Sequence, residues 1–268
     1  MSGNLSCIGF SFAPEVVEEA FTGAVERMAN EATERLSCNA GDYAIWRSRS
    51  GAEVWVHLTP GDAGGEREIV GLTPFFEGRS EVPVRLVEHV RREDDNAFEG
   101  AWSAWIAPDE DGAGSYPMVL DAVDWAARSD EPLPRDATLR IACFARELTA
   151  FASETAFLAA PHPVELAAQA FIPIGLFAAA DTEARDADED GARTQPLPPP
   201  TSTGLFTGRV LEHVTLVNEM MGLPFEWLLV ESLDATFDVV ADPAVVSGAI
   251  TVGGTVQVAG WLVGRVLD

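Results

Sequence analysis

The sequence predicts an α+β fold: an N-terminal mixed α/β region with a mainly antiparallel sheet, followed by a small C-terminal β-barrel. Helical periodicity is strong only near the start of the chain, whereas most later segments are short β-rich runs separated by glycine and proline. An acidic and proline-rich stretch divides the two parts. These observations predict a domain at 1–177, a linker at 178–202 and a β module at 203–268.

The first predicted elements are a strand and a helix. Leu5–Phe12 is a short apolar run, which predicts the first strand. A proline at position 14 suits the first turn of a helix, and the acidic residues that follow it favour the positive helix end. Apolar residues recur at helical spacing from Val17 to Met28, so we expect an amphipathic helix over Pro14–Ala32.

A hairpin and a further strand follow this helix. Residues 42–47 and 52–58 alternate in polarity around the turn Ser48–Gly51, and residues 69–77 predict another strand. This order of strand, helix, hairpin and strand is similar to one βαβββ module of the vicinal-oxygen-chelate (glyoxalase-like) families. Members of those families carry metal-binding histidine and glutamate on their strands. His57 is the only histidine of this region, so we assign no metal site from the resemblance.

The rest of the first domain is predicted to consist of strands and one short helix. Residues 116–127 fit either a strand or a helix. Ser153 is a suitable N-cap for a short helix that reaches Ala160. Strands are predicted at 84–90, 98–107, 138–149 and 171–177.

The C-terminal segment is a set of short strands behind the linker, whose acidic and proline content predicts a mobile and extended chain. Gly260 and Gly264 interrupt the last run, and glycines inside a strand often mark the bulges that a small closed sheet needs in order to bend. This arrangement resembles an OB-fold barrel. The alternative is a β-hairpin and an extra strand packed on the first domain. The predicted strands are 205–218, 225–230, 236–241 and 255–266.

Charge narrows the class of partner. The chain has 43 acidic residues against 17 basic ones, all of them arginine, and a net charge of −26. Such a surface repels nucleic acid and anionic membranes and attracts basic protein surfaces. Between 201 and 268 the only cations are Arg209 and Arg265, against eight carboxylates, so we exclude nucleic acid as a ligand of the OB-like module. A GC-rich genome or adaptation to high salt would also explain the composition.

The sequence predicts a cytoplasmic protein. No apolar run is long enough to span a membrane, and the first residues carry neither the positive charge nor the apolar core of a secretion signal. The three cysteines are an odd number without metal-type spacing, which fits a reducing compartment.

Motifs for catalysis are missing from the sequence. It contains no G-x-S-x-G, no H-E-x-x-H and no phosphate-binding glycine loop, so we predict no catalytic residue, no cofactor and no metal site. Arg85–Val90 and Arg209–Val214 nearly repeat, and each places glutamate beside histidine on a predicted strand. The match can be due to chance. Alternatively, if the two histidines meet in space, they can form a metal-binding or acid–base pair.

A few side chains remain as candidates for a pocket or an interface. Histidine and glutamate could converge on a cavity in the first domain, and tryptophan is common both in cores and at interfaces. The candidates are His57, Glu53, Glu77, His89, His213, Trp227 and Trp261.

The main functional hypothesis is a non-catalytic cytosolic binding protein whose acidic surface engages a basic protein, as an inhibitor or immunity-type protein would. The alternatives are an enzyme or small-ligand binder with a pocket in the βαβββ-like region, and a structural or assembly protein. With Cys7–Gly9, Gly71–Phe76 and the OB-like tail from Leu205, the chain resembles a group of bacterial proteins of unknown function. That resemblance supports the domain organisation and adds little about function.

Overall fold

The computed structural model describes residues 2–11, 17–61, 67–111, 114–161, 165–176 and 199–267. Strands account for 51% of the described residues and helices for 13%, so the fold is mostly β. The helices are α1 (Ser2–Ser6), α2 (Val17–Asn30), α3 (Trp125–Arg128) and α4 (Glu154–Ala159). The strands are β1 (Glu34–Cys38), β2 (Gly41–Arg47), β3 (Ala52–Leu58), β4 (Ile69–Phe76), β5 (Val82–Val90), β6 (Ala101–Ile106), β7 (Pro117–Ala122), β8 (Arg135–Phe151), β9 (Ala170–Ile172), β10 (Thr203–Asn218), β11 (Leu223–Ser232), β12 (Ala235–Ala241), β13 (Val246–Ser247) and β14 (Thr255–Val266).

The predicted first strand is wrong. The apolar run begins as α1 and continues into a turn in which Gly9 has a φ of 76°, a left-handed conformation that glycine adopts readily. Leu5, Ile8 and Phe10 are buried, so the apolar residues reflect burial of a compact turn rather than the alternation of a strand. The predicted helix is confirmed as α2, although its expected start at Pro14 lies outside the described residues.

The first sheet is an antiparallel meander in the order β1-β2-β3-β4. The predicted hairpin of β2 and β3 is confirmed, whereas β1 was not predicted. Since the chain starts with helices, the expected βαβββ order does not hold among the described residues. Both β2 and β3 are almost wholly buried, because one hydrophobic cluster joins them to α2 and to Phe144, Trp227 and Val240 of the large sheet.

The large mixed sheet contains β5 to β14 and closes into two rings of hydrogen-bonded strands. The first ring runs β5-β6-β7-β14-β8 and returns to β5. The second runs β10-β11-β12-β8-β14 and returns to β10. In each ring one pair is parallel, β7 with β14 and β12 with β8, and the other four pairs are antiparallel. The long strands β8 and β14 belong to both rings.

The predicted OB-like barrel at 203–268 is not confirmed as a self-contained unit. Its strands β10, β11, β12 and β14 do not close by themselves; the ring is completed by β8, which precedes the predicted linker. Pairing therefore continues across the predicted boundary. Residues 177–198, which include most of that linker, lie outside the described part of the chain.

The near-repeat noted in the sequence occupies equivalent places in the two rings. Arg85–Val90 lies in β5 and Arg209–Val214 lies in β10, the first strand of each ring. Both strands shift register at the same point of the motif, between Leu86 and Glu88 and between Val210 and Glu212. The correspondence thus covers strand order, direction and bulge position as well as residue type.

The interior of both rings is one continuous hydrophobic cluster. It includes Trp102 and Leu139 from the first ring and Phe206 and Phe237 from the second. Among the described residues, no helix combines the length and the hydropathy that a membrane span requires.

Candidate functional site

A cavity of about 550 Å³ lies between the helical side of the first sheet and the first ring. Its lining comes from α1, α2, β4, the connection between β5 and β6, the end of β7, and Trp261 of β14. A volume of this size is typical of small-molecule sites. The cavity is therefore the main candidate site in the described part of the chain.

One wall of the cavity is apolar. Phe21 and Val25 of α2 and Ile69 and Leu72 of β4 contribute to it, and Trp261 closes the side of the large sheet. Ile69 and its neighbour Val70 are 40% and 43% exposed, because the first half of β4 lies at the open edge of its sheet. This wall offers apolar surface to a ligand.

A second wall is polar and comes from the β5–β6 connection, residues 91–100. The connection is folded by local hydrogen bonds: the backbone N–H of Arg92 donates to Asp95 Oδ2 over 2.7 Å, and that of Asn96 donates to Glu99 Oε2 over 3.1 Å. The Asn96 side chain accepts from the Phe98 N–H over 2.8 Å. These turns hold Arg92, Asp95 and Glu99 at the cavity.

Arg92 is committed to a network with Asp121. Its Nη1 lies 2.8 Å from Asp121 Oδ1, and its Nη2 donates to Ser202 Oγ over 3.0 Å. Ser202 Oγ donates to Asp121 Oδ1 over 2.5 Å, and Trp261 Nε1 donates to Asp121 Oδ2 over 2.7 Å. The network joins the β5–β6 connection to β7 and β14, and it pairs the guanidinium charge with a carboxylate.

Glu99 keeps an unbalanced negative charge at the cavity. Among the described residues it forms no ion pair with an arginine, and the backbone of Asn96 donates its hydrogen bond. Partial burial raises the pKa of Glu99, and the negative charges of Asp95, Asp121 and Asp94 raise it further. Desolvation by burial is the main cause of this shift, and the neighbouring carboxylates add to it.

His57 lies directly behind the cavity wall at Gly71. The ring is fully buried, its Nε2 is 3.2 Å from Thr73 Oγ1, and it stacks on Phe98 with centroids 4.9 Å apart. Burial lowers the pKa of His57 to about 3, so the imidazole is neutral at pH 7. Its Nδ1 has no hydrogen-bond partner among the described residues.

Gly71 lines the cavity in front of the buried His57 ring. A Cβ atom at Gly71 would lie 2.9 Å from His57 Nδ1, 2.9 Å from Asn96 Nδ2 and 3.7 Å from Glu99 Oε1. The missing side chain therefore leaves three polar groups around one point at the cavity wall. A buried polar atom without a partner is costly, which makes this point a candidate for contact with a ligand.

The predicted candidates Glu53 and Glu77 lie in a separate cluster of ion pairs. Arg265 Nη1 is 2.7 Å from Glu77 Oε2 and 3.9 Å from Glu53 Oε1, while Arg140 pairs with Glu77 and Arg47 pairs with Glu53. Burial raises the pKa of Glu53 despite these arginines. Neither glutamate lines the cavity, and both are balanced by arginine in a structural network.

The remaining candidates are separated from one another. His89 makes an edge contact with Trp125 at 5.3 Å, whereas His213 Nε2 lies 2.7 Å from Glu226 Oε2, so neither is seen to contact the other. Trp227 is 5% exposed and donates to Asp238 Oδ1 over 2.9 Å, which is a core role. Of the predicted candidates only Trp261 lines the cavity, and His57 adjoins it.

The polar wall was missed at the sequence level. Arg92 and Asp95 belong to the charged turn 91–96, Glu99 lies in the predicted strand 98–107, and Asp121 lies in the segment that fitted either strand or helix. The available signal was the length of the β5–β6 connection, since long connections often carry function.

Comparison with protein-family models, with curated proteins and with solved structures found no match. In the described residues, His, Cys, Asp and Glu side chains do not gather in threes as a metal site requires. The functional argument therefore depends on the geometry of this chain.

Proposed function

We propose that the protein is a non-catalytic binding protein that holds a small organic molecule in the cavity between β4 and the first ring. The observation that carries this proposal is the cavity of about 550 Å³ with one apolar wall and one polar wall. Ligand sites commonly combine apolar surface with a few placed polar groups.

The chemistry of the cysteines favours binding over catalysis. Cys7 and Cys143 are buried, and burial raises the pKa of Cys7 to about 11 and raises that of Cys143 as well. A thiol that stays protonated is a poor nucleophile. These residues therefore supply no reactive thiolate at neutral pH.

Filling the cavity tests the proposal. Val70 lines the cavity and is 43% exposed, so Val70→Trp should fold while blocking the site. A fragment collection screened by thermal shift should yield compounds that stabilise the native protein, with about 2.7 kcal/mol expected at a concentration of 100 Kd. Val70→Trp should abolish that stabilisation.

Val252→Trp is the matched control, because Val252 is 60% exposed and does not line the cavity. It should respond to the same compounds as the native protein does. A screen without stabilising compounds, or compounds that stabilise Val70→Trp equally, would contradict the proposal.

We propose a second function, binding of a basic protein in the manner of an inhibitor or immunity-type protein. It is supported by the net charge of −26 and by the pairing of many arginines with carboxylates, as in Arg79 with Glu212 and Arg85 with Asp136. Such pairing leaves the excess negative charge on the surface. An immobilised native protein should capture a basic partner from the source lysate at about 20 mM salt and release it at about 500 mM, because salt screens electrostatic contacts. Recovery of no partner at low salt would argue against this function.

We also propose that nucleic acid is excluded. In the described part of 203–268, Arg265 is paired with Glu53 and Glu77, which leaves Arg209 as an exposed cation. The arginines Arg47, Arg140 and Arg265 do gather, but around carboxylates and beside a buried Trp55. This arrangement lacks the cationic groove that tracks phosphates.

We further propose that each ring is an OB-like barrel and that the two barrels exchange a strand. In support, each ring has three antiparallel strands followed by the shared pair, and its third strand runs parallel to the shared strand next to it. A cytoplasmic location is also proposed, since Cys7, Cys38 and Cys143 are present as thiols, which suits a reducing compartment.

A further inference from the structure

We infer that the ligand of the cavity is an organic cation, an amine with a compact apolar body. This inference rests on the proposed small-molecule binding function. It follows from the polar lining, in which three carboxylates, Asp95, Glu99 and Asp121, outnumber the single guanidinium of Arg92. A ligand that brings a positive charge balances this lining, whereas an anion adds to the repulsion.

Arg92 is already occupied, which argues against an anionic ligand. Its Nη1 pairs with Asp121 at 2.8 Å, its Nη2 donates to Ser202 Oγ at 3.0 Å, and its Nε donates to the carbonyl of Pro200 at 3.3 Å. An anion would have to break this network before it could bind the guanidinium. Glu99, in contrast, is half-buried and has no arginine partner among the described residues, so its carboxylate is available to an ammonium group.

His57 lies buried behind this wall and does not oppose an ammonium. The tautomer that donates from Nε2 to Thr73 Oγ1 leaves Nδ1 as an acceptor that faces Gly71. The buried ring stays neutral at pH 7 and so does not repel a cation. Glu99 therefore supplies the acceptor for the ammonium, and the buried His57 behind it adds no opposing charge.

The apolar wall defines the rest of the ligand. Phe21, Val25, Leu72 and Trp261 surround the remaining space, and a cavity of about 550 Å³ accommodates one ring or a short aliphatic chain beside the amine. The Trp261 N–H is held by Asp121 at 2.7 Å, so this indole contributes apolar surface rather than a free donor. The recognised chemistry is an ammonium head on a compact apolar body.

Three probes with the same apolar body test the charge. Calorimetric titration of the full chain at pH 7.5 would compare 2-phenylethylamine, 2-phenylethanol and 3-phenylpropanoate. The amine should bind at least about tenfold more tightly than the alcohol and the carboxylate, which corresponds to about 1.4 kcal/mol. Equal or tighter binding of the alcohol or the carboxylate would overturn the cation inference and leave the binding function standing.

Glu99→Gln removes the charge and keeps the shape. It should weaken amine binding by about tenfold and change alcohol binding by less than about twofold, since only the ammonium has a charge that the carboxylate attracts. Glu154→Gln removes an exposed carboxylate that does not line the cavity and should leave all three affinities unchanged.

The two proposals fail in different ways. If Glu99→Gln weakens all three probes equally, Glu99 only shapes the cavity and the cation inference is wrong. If no probe binds at millimolar concentration, the cation inference is overturned. The fragment screen with Val70→Trp then decides separately whether the cavity binds any small molecule.

Discussion

The two rings have the same strand order but different connections between their first two strands. In the first ring β5 and β6 are joined by residues 91–100, which supply the polar wall of the cavity. In the second ring β10 and β11 are joined by the short turn 219–222. The neighbouring Asn218 donates its side-chain amide to the carbonyl of Ile8 over 2.8 Å, so this end of the second ring packs on the N-terminal turn.

The strands shared by the two rings form the framework, and the connection that differs between them carries the candidate site. Strand order, strand direction and the bulge after Leu86 or Val210 are common to both rings, because closing a small ring of strands imposes the same geometry twice. The connection is free of that constraint, so it can lengthen and carry ligand-binding groups. The first ring holds a candidate site, whereas the matching end of the second ring serves the fold.

The Glu-His pairs repeated in β5 and β10 also differ between the two rings in the side chains that they contact. His89 packs against Trp125, whereas His213 pairs with Glu226. Glu212 pairs with Arg79 at 2.6 Å. Identical residues in equivalent strands therefore acquire different partners, because their neighbours come from unlike connections and from the first sheet.

The largest effect is expected when the second ring is separated from the first. A fragment of residues 199–268 lacks β8 and leaves the edges of β12 and β14 unpaired, so it should not fold alone. Circular dichroism should show no cooperative thermal transition, while the full chain shows one. Cooperative unfolding of the fragment would show that the second ring closes without β8.

A smaller effect is expected for one carboxylate in each ring, of which Asp238 is buried and Asp121 is partly exposed. Asp238 is fully buried and accepts from Ser80 N–H at 2.8 Å, from Arg79 N–H at 2.9 Å and from Trp227 Nε1 at 2.9 Å. Asp238→Asn should lower the free energy of unfolding by about 3 kcal/mol, because it replaces an acceptor with a donor among three donors. Chemical denaturation measures it.

Asp121→Asn is the comparison in the first ring. Asp121 is partly exposed at the cavity, so water can replace lost partners and the expected loss is about 1 kcal/mol. If both substitutions cost the same, burial does not distinguish the two carboxylates and the roles assigned to the rings need revision.

The last prediction concerns pH and Asp124, the residue before α3. Asp124 is 4% exposed, and burial raises its pKa to about 6 although Arg128 opposes the change. A raised carboxyl pKa contributes stability that is fully present below the ordinary value and is lost as pH rises through about 6. Asp124→Asn does not titrate, so its stability relative to the native protein should rise between pH 4 and 7.5 by at most about 3 kcal/mol.

Ser129→Ala at the end of α3 is the control for that measurement, because it changes the same helix without removing a titrating group. Its difference from the native protein should stay constant over this pH range. A constant difference for Asp124→Asn as well would show that Asp124 does not titrate in that range.

Much of the strand framework was predictable from local pattern. The hairpin of β2 and β3, the helix α2, the Ser153-capped helix α4 and most strands follow from periodicity and capping, which act over a few residues. The start of the chain was not predictable in this way, because burial of Leu5, Ile8 and Phe10 in a turn leaves the same apolar run as a strand.

The candidate site was predictable only in part. Trp261 and His57 were recognised as candidates, but Glu53 and Glu77 were grouped with them although ion pairs with arginine hold them elsewhere. Glu99 and Asp95 were not recognised, because a carboxylate in an acidic chain carries no distinguishing local signal.

Local patterns and composition were enough to predict the helix α2, most of the strands and the strong negative charge, because these depend on neighbouring residues or on residue counts. The joining of two rings by β8 and β14, and the meeting of residues 91–100 with β4 and Trp261 around a cavity, are seen only in the folded molecule. Such pairings join residues far apart in the chain, and their free energy comes from contacts that no local pattern encodes.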